Sequence, residues 1–333
     1  MDIHSFEFTE EQERLRKTAR DLGDEMRLEA VEWSLATGLA PFKDIIKRIN
    51  DAGLGAISIP VKFGGQGKTL VEYVIVEEEI ARHSQSMWPS IAFFGICGPG
   101  PSVLMASDNE AAREKWLPPV VKGESLITIP MTEPKYGSAM TDLETTAVLD
   151  GNEYVINGEK RFISFAAAFD LYPTILRFGD IPGYKGLGAI MIERGTPGFT
   201  FGKSVDFISI PQPVHPVVKL ENVRVPKENL LLGPGQFKRM MGGFNLERMH
   251  NGTLSLATAE ACYDEVYKYS HERWQFGRPI FEFQSYYHKL ADMWVEIRAG
   301  QWLCYYAAAN AIEGQFPRLL DVSVQKKYNN DLA

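Results

Sequence analysis

Through the first third of the chain apolar residues recur at spacings of three and four. In "TEEQERLRKTARDLGDEM", Leu15, Ala19 and Leu22 fall on one side of a helix, Thr9 offers an N-cap hydroxyl, and acidic residues crowd the first turn. The same period returns in "FKDIIKRINDAGL", "LVEYVIVEEEIARHS" and "NEAAREKWLPPVV", and "ISIPVKFGGQGKT" between the second and third of these helices reads as a glycine-rich loop. From about Glu124 to Gly235 the pattern changes to short alternating or β-branched runs such as "TTAVLD", "EYVING", "PTILRF", "AIMIER", "FTFGKS" and "PVVKLENVRV". "DGNEY" reads as a hairpin turn, and "RGTPG" and "GPGQ" break the runs. Helical periodicity resumes after Phe237 in "GTLSLATAEACYDEVYKYSHERW", in "FQSYYHKLADMWVEIRAGQWLCYYAAANAIEG" and in "PRLLDVSVQKKYNNDLA". The prediction is an α+β chain: an N-terminal helical domain over 1–123, a middle antiparallel β-domain (barrel or sandwich) over 124–235, and a C-terminal helical bundle over 236–333 that stops short. Within "GFNLERMHNG", Asn245 suits an N-cap and Glu247 the first turn, where a negative charge is worth about 0.3–1 kcal/mol.

A length of 333 residues suggests two or three domains, and 45% apolar with 23% charged residues describes an ordinary globular chain. The net charge of -8 removes any general attraction to nucleic acid or anionic lipid. Three scattered cysteines, Cys97, Cys262 and Cys304, suit neither a disulfide framework nor a zinc site and point to a reducing compartment. No apolar run nears the roughly 20 residues that span a bilayer, and the acidic start is unlike a signal or transit peptide. A cytoplasmic protein is expected, with the "NGT" at Asn251 an accidental glycosylation triplet.

Few motifs carry chemistry. "GKT" at Gly67 ends like a P-loop, but Lys62 stands where that motif needs its first glycine, so a structural turn is the better reading. His4, His83, His215, His250, His271 and His288 show no ligand spacing, which argues against a catalytic metal. "PMTEPKYGSAMTDLETTA" is stronger, because it sets the Thr132 and Ser138 hydroxyls and free amides on an irregular segment at a sheet edge. Such a segment can bind a polar heterocycle or a pantetheine chain; it is equally compatible with a plain turn.

"MTEPKYGS", "VINGEKRFIS", "VRVPKENLL" and "RWQFGRPIFEFQ" followed by "HKLADM", in this order and spacing, resemble the acyl-CoA dehydrogenase flavoprotein family. The similarity runs over essentially the whole chain, including "FEFTEEQ" and "IPVKFGGQG". It implies FAD as cofactor, an acyl-CoA substrate, an electron-transferring flavoprotein as electron acceptor, and a homo-oligomer, usually a tetramer. The implied reaction removes a proton from the carbon α to a thioester while hydride leaves the β carbon for flavin N5, giving a 2-enoyl-CoA. By position, Met131 and Thr132 would meet the isoalloxazine ring, and Phe162, Ile163 and Ser164 would pack on it and offer a hydroxyl near N5. Ser138 would meet the acyl-CoA chain at the flavin, and Asn245 and Arg248 the CoA moiety. Arg273, Gln275, Phe276 and Gln284 would reach the adenine-dinucleotide half of FAD in a neighbouring subunit, as suits the planar donor fork of Arg.

The sequence departs from the family at three places. Ala139 stands where an Asp usually follows the Gly-Ser pair, the rim "ISIPQPVHPVVKL" carries prolines and His215 in place of a polar turn, and the family's later helices, with a Gly-rich FAD contact and often the catalytic glutamate, are not in these residues. Glu247 matches the alternative base position of the isovaleryl and long-chain branches. Three readings stay open: Glu247 as the base, a glutamate beyond Ala333, or no base at all in an FAD- or CoA-binding partner subunit of a heteromeric dehydrogenase. An acyl-CoA oxidase is a further alternative. "SMWPSIAFFGICG", expected on the floor of the acyl pocket, has aromatics and no Arg or Lys, which disfavours a dicarboxyl substrate.

Overall fold

The computed structural model describes residues 7–208, 212, 214–311 and 316–333. Helix α1 (Glu10–Leu35) starts at a reciprocal cap, in which the Gln12 N–H donates to Thr9 Oγ1 at 3.2 Å and the Thr9 N–H to Gln12 Oε1 at 3.0 Å. Helix α2 (Phe42–Asp51) buries Phe42, Ile45, Ile46 and Ile49, the stripe its period predicts. Thr69 caps α3 (Leu70–Ser84) in a capping box with Glu72, so the "GKT" turn is a helix start. Then come α4 (Met87–Cys97), α5 (Pro99–Met105) and α6 (Glu110–Val121), the last capped by Asn109.

The middle of the chain is a seven-stranded sheet in the order β5-β6-β2-β1-β3-β4-β7. Its strands are β1 (Thr146–Asp150), β2 (Glu153–Lys160), β3 (Leu171–Phe178), β4 (Leu187–Glu193), β5 (Phe199–Ser204), β6 (Pro216–Pro226) and β7 (Leu230–Leu232). The "DGNEY" turn joins β1 to β2 with Asp150 opposite Glu153 and Gly151 at φ 64°, where glycine is unstrained. One pairing corrects the antiparallel expectation: β3 lies parallel to β1, Thr146 opposite Arg177. The segment after Lys160 carries the chain back before β3 begins, so β3 enters in the direction of β1. Ile156, Leu176, Ile190, Ile192, Val218 and Val223 are among the residues of the sheet's apolar core.

Helix α7 spans Phe237–Glu272, followed by the small hairpin β8 (Trp274–Gln275) and β9 (Arg278–Pro279), α8 (Gln284–Ala309) and α9 (Leu319–Leu332). This corrects the reading of Asn245 as a cap and Glu247 as a first-turn residue, because both lie in the helix interior. The Gly242-Gly243 pair does not end the helix. A Cβ on Gly243 would stand 3.0 Å from Ser102 Oγ, which donates to the Gly243 carbonyl at 3.0 Å, so glycine is kept for close approach to α5.

Two compact units are present, one of 1–31, 68–90 and 247–333, the other of 32–67 and 91–246. In the first, α3 buries three consecutive carboxylates, Glu77, Glu78 and Glu79. Glu79 meets Arg16 at 2.6 Å, Glu78 accepts from Tyr305 Oη at 2.6 Å, and Glu77 lies 3.3 Å from His250 Nδ1. Gly252 and Gly300 leave room for Gln325 and Asn329 of α9, both of which donate to Cys304 Sγ at 3.0 Å. Among the described residues no helix is long and apolar enough to cross a membrane.

Candidate functional site

In the sheet unit the stretch Met131 to Glu133 runs irregularly beside the sheet. Its carbonyls are held from behind: the Arg161 N–H donates to Thr132 O at 2.8 Å, and Lys160 Nζ to Met131 O at 2.9 Å. The Thr132 N–H and hydroxyl make no hydrogen bond among the described residues. Half-buried donors on a backbone fixed by its carbonyls form a ready surface for the acceptor atoms of a ligand.

The support is a buried ion pair. Lys160 is fully buried, and its ammonium also donates to Glu133 Oε1 at 2.8 Å. The same carboxylate accepts the N–H groups of Glu144 and Thr145 at 2.6 and 2.9 Å. Burial pulls the Lys160 ammonium down to about 8 against the raising effect of Glu133. Burial also works against ionised Glu133, but the Lys160 charge and these hydrogen bonds outweigh it and hold the carboxyl below its ordinary value. Neither residue was singled out in the sequence. The available signal was parity, since Lys160 shares the inward face of β2 with Ile156.

After Lys160 the chain makes a strained turn. Phe162 and Phe165 both have φ 59°, a left-handed conformation that bulky residues rarely adopt, and Phe162 is 52% exposed. Ile163 is buried between them, and Ser164 stays on the surface with its Oγ 3.1 Å from His215 Nε2. Such strain persists only where surrounding contacts enforce it. The Phe165 N–H donates to Val214 O at 2.5 Å, and its ring packs against Phe42 and Phe169 at 5.0 and 5.4 Å between centroids. Part of the proline-rich rim, residues 209–211 and 213, lies outside the described residues.

Ser138 is exposed, and the 3-10 turn Met140–Asp142 follows Ala139. Arg177 holds this loop, donating to Leu143 O at 3.0 Å and Thr141 O at 2.5 Å. No local pattern points to that role, which depends on a partner 34 residues away.

Helix geometry pairs Asn245 with Arg248 three residues on, and Glu247 with Asn251 four on. Asn245 is buried, while Glu247 and Arg248 are half-buried. Asn251 Nδ2 donates to Glu247 Oε1 at 2.6 Å, which ties the glycosylation-like triplet into the helix surface. Arg273, Gln275 and Phe276 sit on the β8-β9 hairpin and Gln284 opens α8, and all four are exposed. Phe276, with φ 51°, and Gly277 form the hairpin tip, where Phe276 is 94% exposed.

Three family models match in succession: the acyl-CoA dehydrogenase N-terminal domain over 9–124, middle domain over 128–220 and C-terminal domain over 237–333. The chain belongs to the acyl-CoA dehydrogenase family. It is 33% identical over 301 residues to "Acyl-CoA dehydrogenase" of Bacillus subtilis, covering 90% of this chain and 79% of that one. It is 30% identical over 329 residues to "Caffeyl-CoA reductase-Etf complex subunit CarC" of Acetobacterium woodii, covering 98% and 86%. The structure of butyryl-CoA dehydrogenase from Megasphaera elsdenii superposes with a TM-score of 0.91 at 29% identity, over 99% of this chain and 86% of that one. This acyl-CoA dehydrogenase is an oxidoreductase whose fold is the family's helix, sheet and helix sequence, and its cofactor is FAD.

The residues present suit that cofactor. An unbonded N–H and hydroxyl at Thr132 match the ring carbonyl and nitrogen acceptors of a flavin, the exposed face of Phe162 offers an aromatic surface, and Ser164 adds a hydroxyl.

Proposed function

We propose that this protein catalyses the FAD-dependent α,β-dehydrogenation of an acyl-CoA thioester. The observation that carries the reading is the donor strip at Thr132, fixed from behind by Lys160 and Arg161 and flanked by strained Phe162 and the Ser164 hydroxyl. Met131, Thr132, Phe162, Ile163 and Ser164 hold the isoalloxazine, and Ser138 meets the acyl-CoA chain beside it. When bound, FAD supplies the hydride acceptor. Asn245 and Arg248 hold the CoA moiety, and Glu247 takes the α proton.

The exposure of Arg273, Gln275, Phe276 and Gln284 supports their service to a second copy's FAD, since a strained aromatic at 94% exposure is costly on a surface with no partner. The assembly is then a homo-oligomer, a tetramer in this reading, with composite cofactor sites. An electron-transferring flavoprotein accepts the electrons, a reading supported by the relative named as part of a reductase-Etf complex. The compartment is the cytoplasm.

The test is optical. Purified protein is yellow, an acyl-CoA bleaches the flavin anaerobically, and Glu247→Gln slows that bleaching by at least about a hundredfold, the lower range for losing a general base. Bleaching of Glu247→Gln at the wild-type rate places the base elsewhere. Colourless protein that gains flavin only with a sister chain indicates a silent partner subunit, and peroxide in air indicates an oxidase. A glutaryl-CoA substrate faster than every neutral acyl-CoA would contradict the apolar pocket floor expected from α4.

A further inference from the structure

Ser164, placed at the flavin above, has a neighbour, His215, to which the reaction gives no role. Ser164 Oγ lies 3.1 Å from His215 Nε2, and the question is which of the two donates. The other ring nitrogen decides it. His215 Nδ1 is buried and has no hydrogen-bond partner among the described residues. In a neutral imidazole one nitrogen carries the hydrogen and the other a lone pair. A buried N–H without an acceptor is rarer and costlier than a bare acceptor, so the hydrogen belongs on Nε2. Nε2 then donates to Ser164 Oγ. With its oxygen engaged as acceptor, the Ser164 hydroxyl keeps its own hydrogen free to point to the open side, where Ser164 is exposed.

We propose that His215 is a positioning residue that turns the Ser164 hydroxyl into an obligate hydrogen-bond donor toward the flavin. This rests on the flavin site proposed above and adds to it a residue outside the motifs that carry the family resemblance. Three further observations support it. The imidazole is wedged between rings, 4.5 Å from Phe207 and 6.4 Å from Phe165 between centroids, so it is held in place. Its N–H on the main chain donates to Ser204 Oγ at 2.9 Å and its carbonyl accepts from Val205 at 3.1 Å, which fixes the backbone on the end of β5. Burial alone lowers its affinity for a second proton, with no charged group contributing, so the ring is kept neutral. A second proton would have to sit on the partnerless Nδ1.

The arrangement resembles the way a neighbour fixes the tautomer of a working histidine, with the roles reversed: here the environment of the histidine fixes the direction of a working hydroxyl. A serine without this neighbour can rotate its hydrogen towards any acceptor at the sheet edge, and the donor is then present only part of the time.

The experiment has a flavin-independent arm and a flavin arm. In nitrogen-15 histidine-labelled protein, with the His215 signal assigned by its loss in His215→Phe, the expected result is a protonated Nε2 and a bare Nδ1. A protonated Nδ1 overturns the proposal. In the FAD-loaded protein, His215→Phe keeps an aromatic ring in the same pocket. It is expected to move the flavin absorption and reduction potential in the same direction as Ser164→Ala, and to slow flavin reduction by acyl-CoA roughly five- to tenfold, the worth of one hydrogen bond, with KM little changed. The double variant should add nothing further, and His215→Gln, whose amide N–H can donate, should recover most of the loss. A His215→Phe flavin with wild-type absorption and potential, beside a shifted Ser164→Ala, refutes the coupling. Wild-type protein that binds no FAD overturns the flavin site itself. The nitrogen signature then still reports whether Nε2 donates, so the two failures are told apart.

Discussion

Replacing Glu133 by Gln keeps its shape and removes the charge opposite a fully buried ammonium. Lys160 titrates at about 8 in the fold against an ordinary 10.5. Its folded value lies below its unfolded one, so between those values the unfolded chain holds the extra proton and stability rises with pH. At about pH 7 the fold therefore already bears a cost of about 3 kcal/mol for charging Lys160. Without Glu133 the ammonium can release its proton, which caps the added cost at about one further pH unit, ~1.4 kcal/mol. Gln has a single acceptor oxygen for the amides of Glu144 and Thr145, now held at 2.6 and 2.9 Å, and one lost bond adds about 1 kcal/mol. The expected loss is about 2–3 kcal/mol at about pH 7, shrinking to about 1 kcal/mol near pH 9, where Lys160 is neutral in both proteins. Urea unfolding of wild type and Glu133→Gln at the two pH values measures the difference. An unchanged difference between them would mean that the ion pair does not exist as described, and Lys160→Met in the variant background should restore part of the loss at the lower pH only.

Glu79 gives the opposite pH signature: burial resists its ionisation, but hydrogen bonds from His83, Arg16 and Arg20 prevail and hold it at about 2. Its folded value is depressed, so its contribution, about 3 kcal/mol, is complete above the ordinary carboxyl range and lost as pH falls towards 2; Glu79→Gln and wild type should converge in acid when followed by circular dichroism. Cys304 is pushed up to about 12 by burial and Cys97 is buried, whereas Cys262 is exposed, so a thiol reagent should label one cysteine quickly in native protein and none in Cys262→Ser. In Gly300→Ala the new Cβ would stand 2.1 Å from Asn329 Oδ1, and α9 should loosen, with a stability loss of about 1–3 kcal/mol and faster proteolysis within α9.

The elements legible in the sequence are those whose burial follows their own period, such as α2 with its single apolar stripe and the β1-β2 hairpin with its Asp-Gly-Asn turn. Helix α5 was hidden by glycine and proline. Pro99 stands at its first position, where proline is tolerated, and Gly100 is there because a Cβ would stand 2.7 Å from Ile127, a packing reason that only the folded chain reveals. The continuation of α7 through Gly242-Gly243 was hidden for the same reason. At the site, Thr132 and Ser164 lie inside short motifs and could be named. Lys160 lies in one of those motifs too and His215 in the unusual rim, but their roles could not be read, because each acts through a partner reached across the fold, Lys160 on Met131 and Glu133, His215 on Ser164.

The three buried glutamates of α3 set a length rule. Successive residues on a helix point about 100° apart, so Glu77, Glu78 and Glu79 address three sectors: His250 of α7, Gln301 and Tyr305 of α8, and Arg16 with Arg20 of α1. One turn of one helix thereby acts as an indexing key for three others. Exchanging a single glutamate disturbs one sector and leaves two engaged. Inserting or deleting one residue ahead of Glu77 within α3 would turn all three carboxylates at once and bring each to the wrong helix. Sequence drift in this stretch should consequently proceed by replacement and never by a change in length, and a natural variant with a gap there would have to carry a differently indexed bundle.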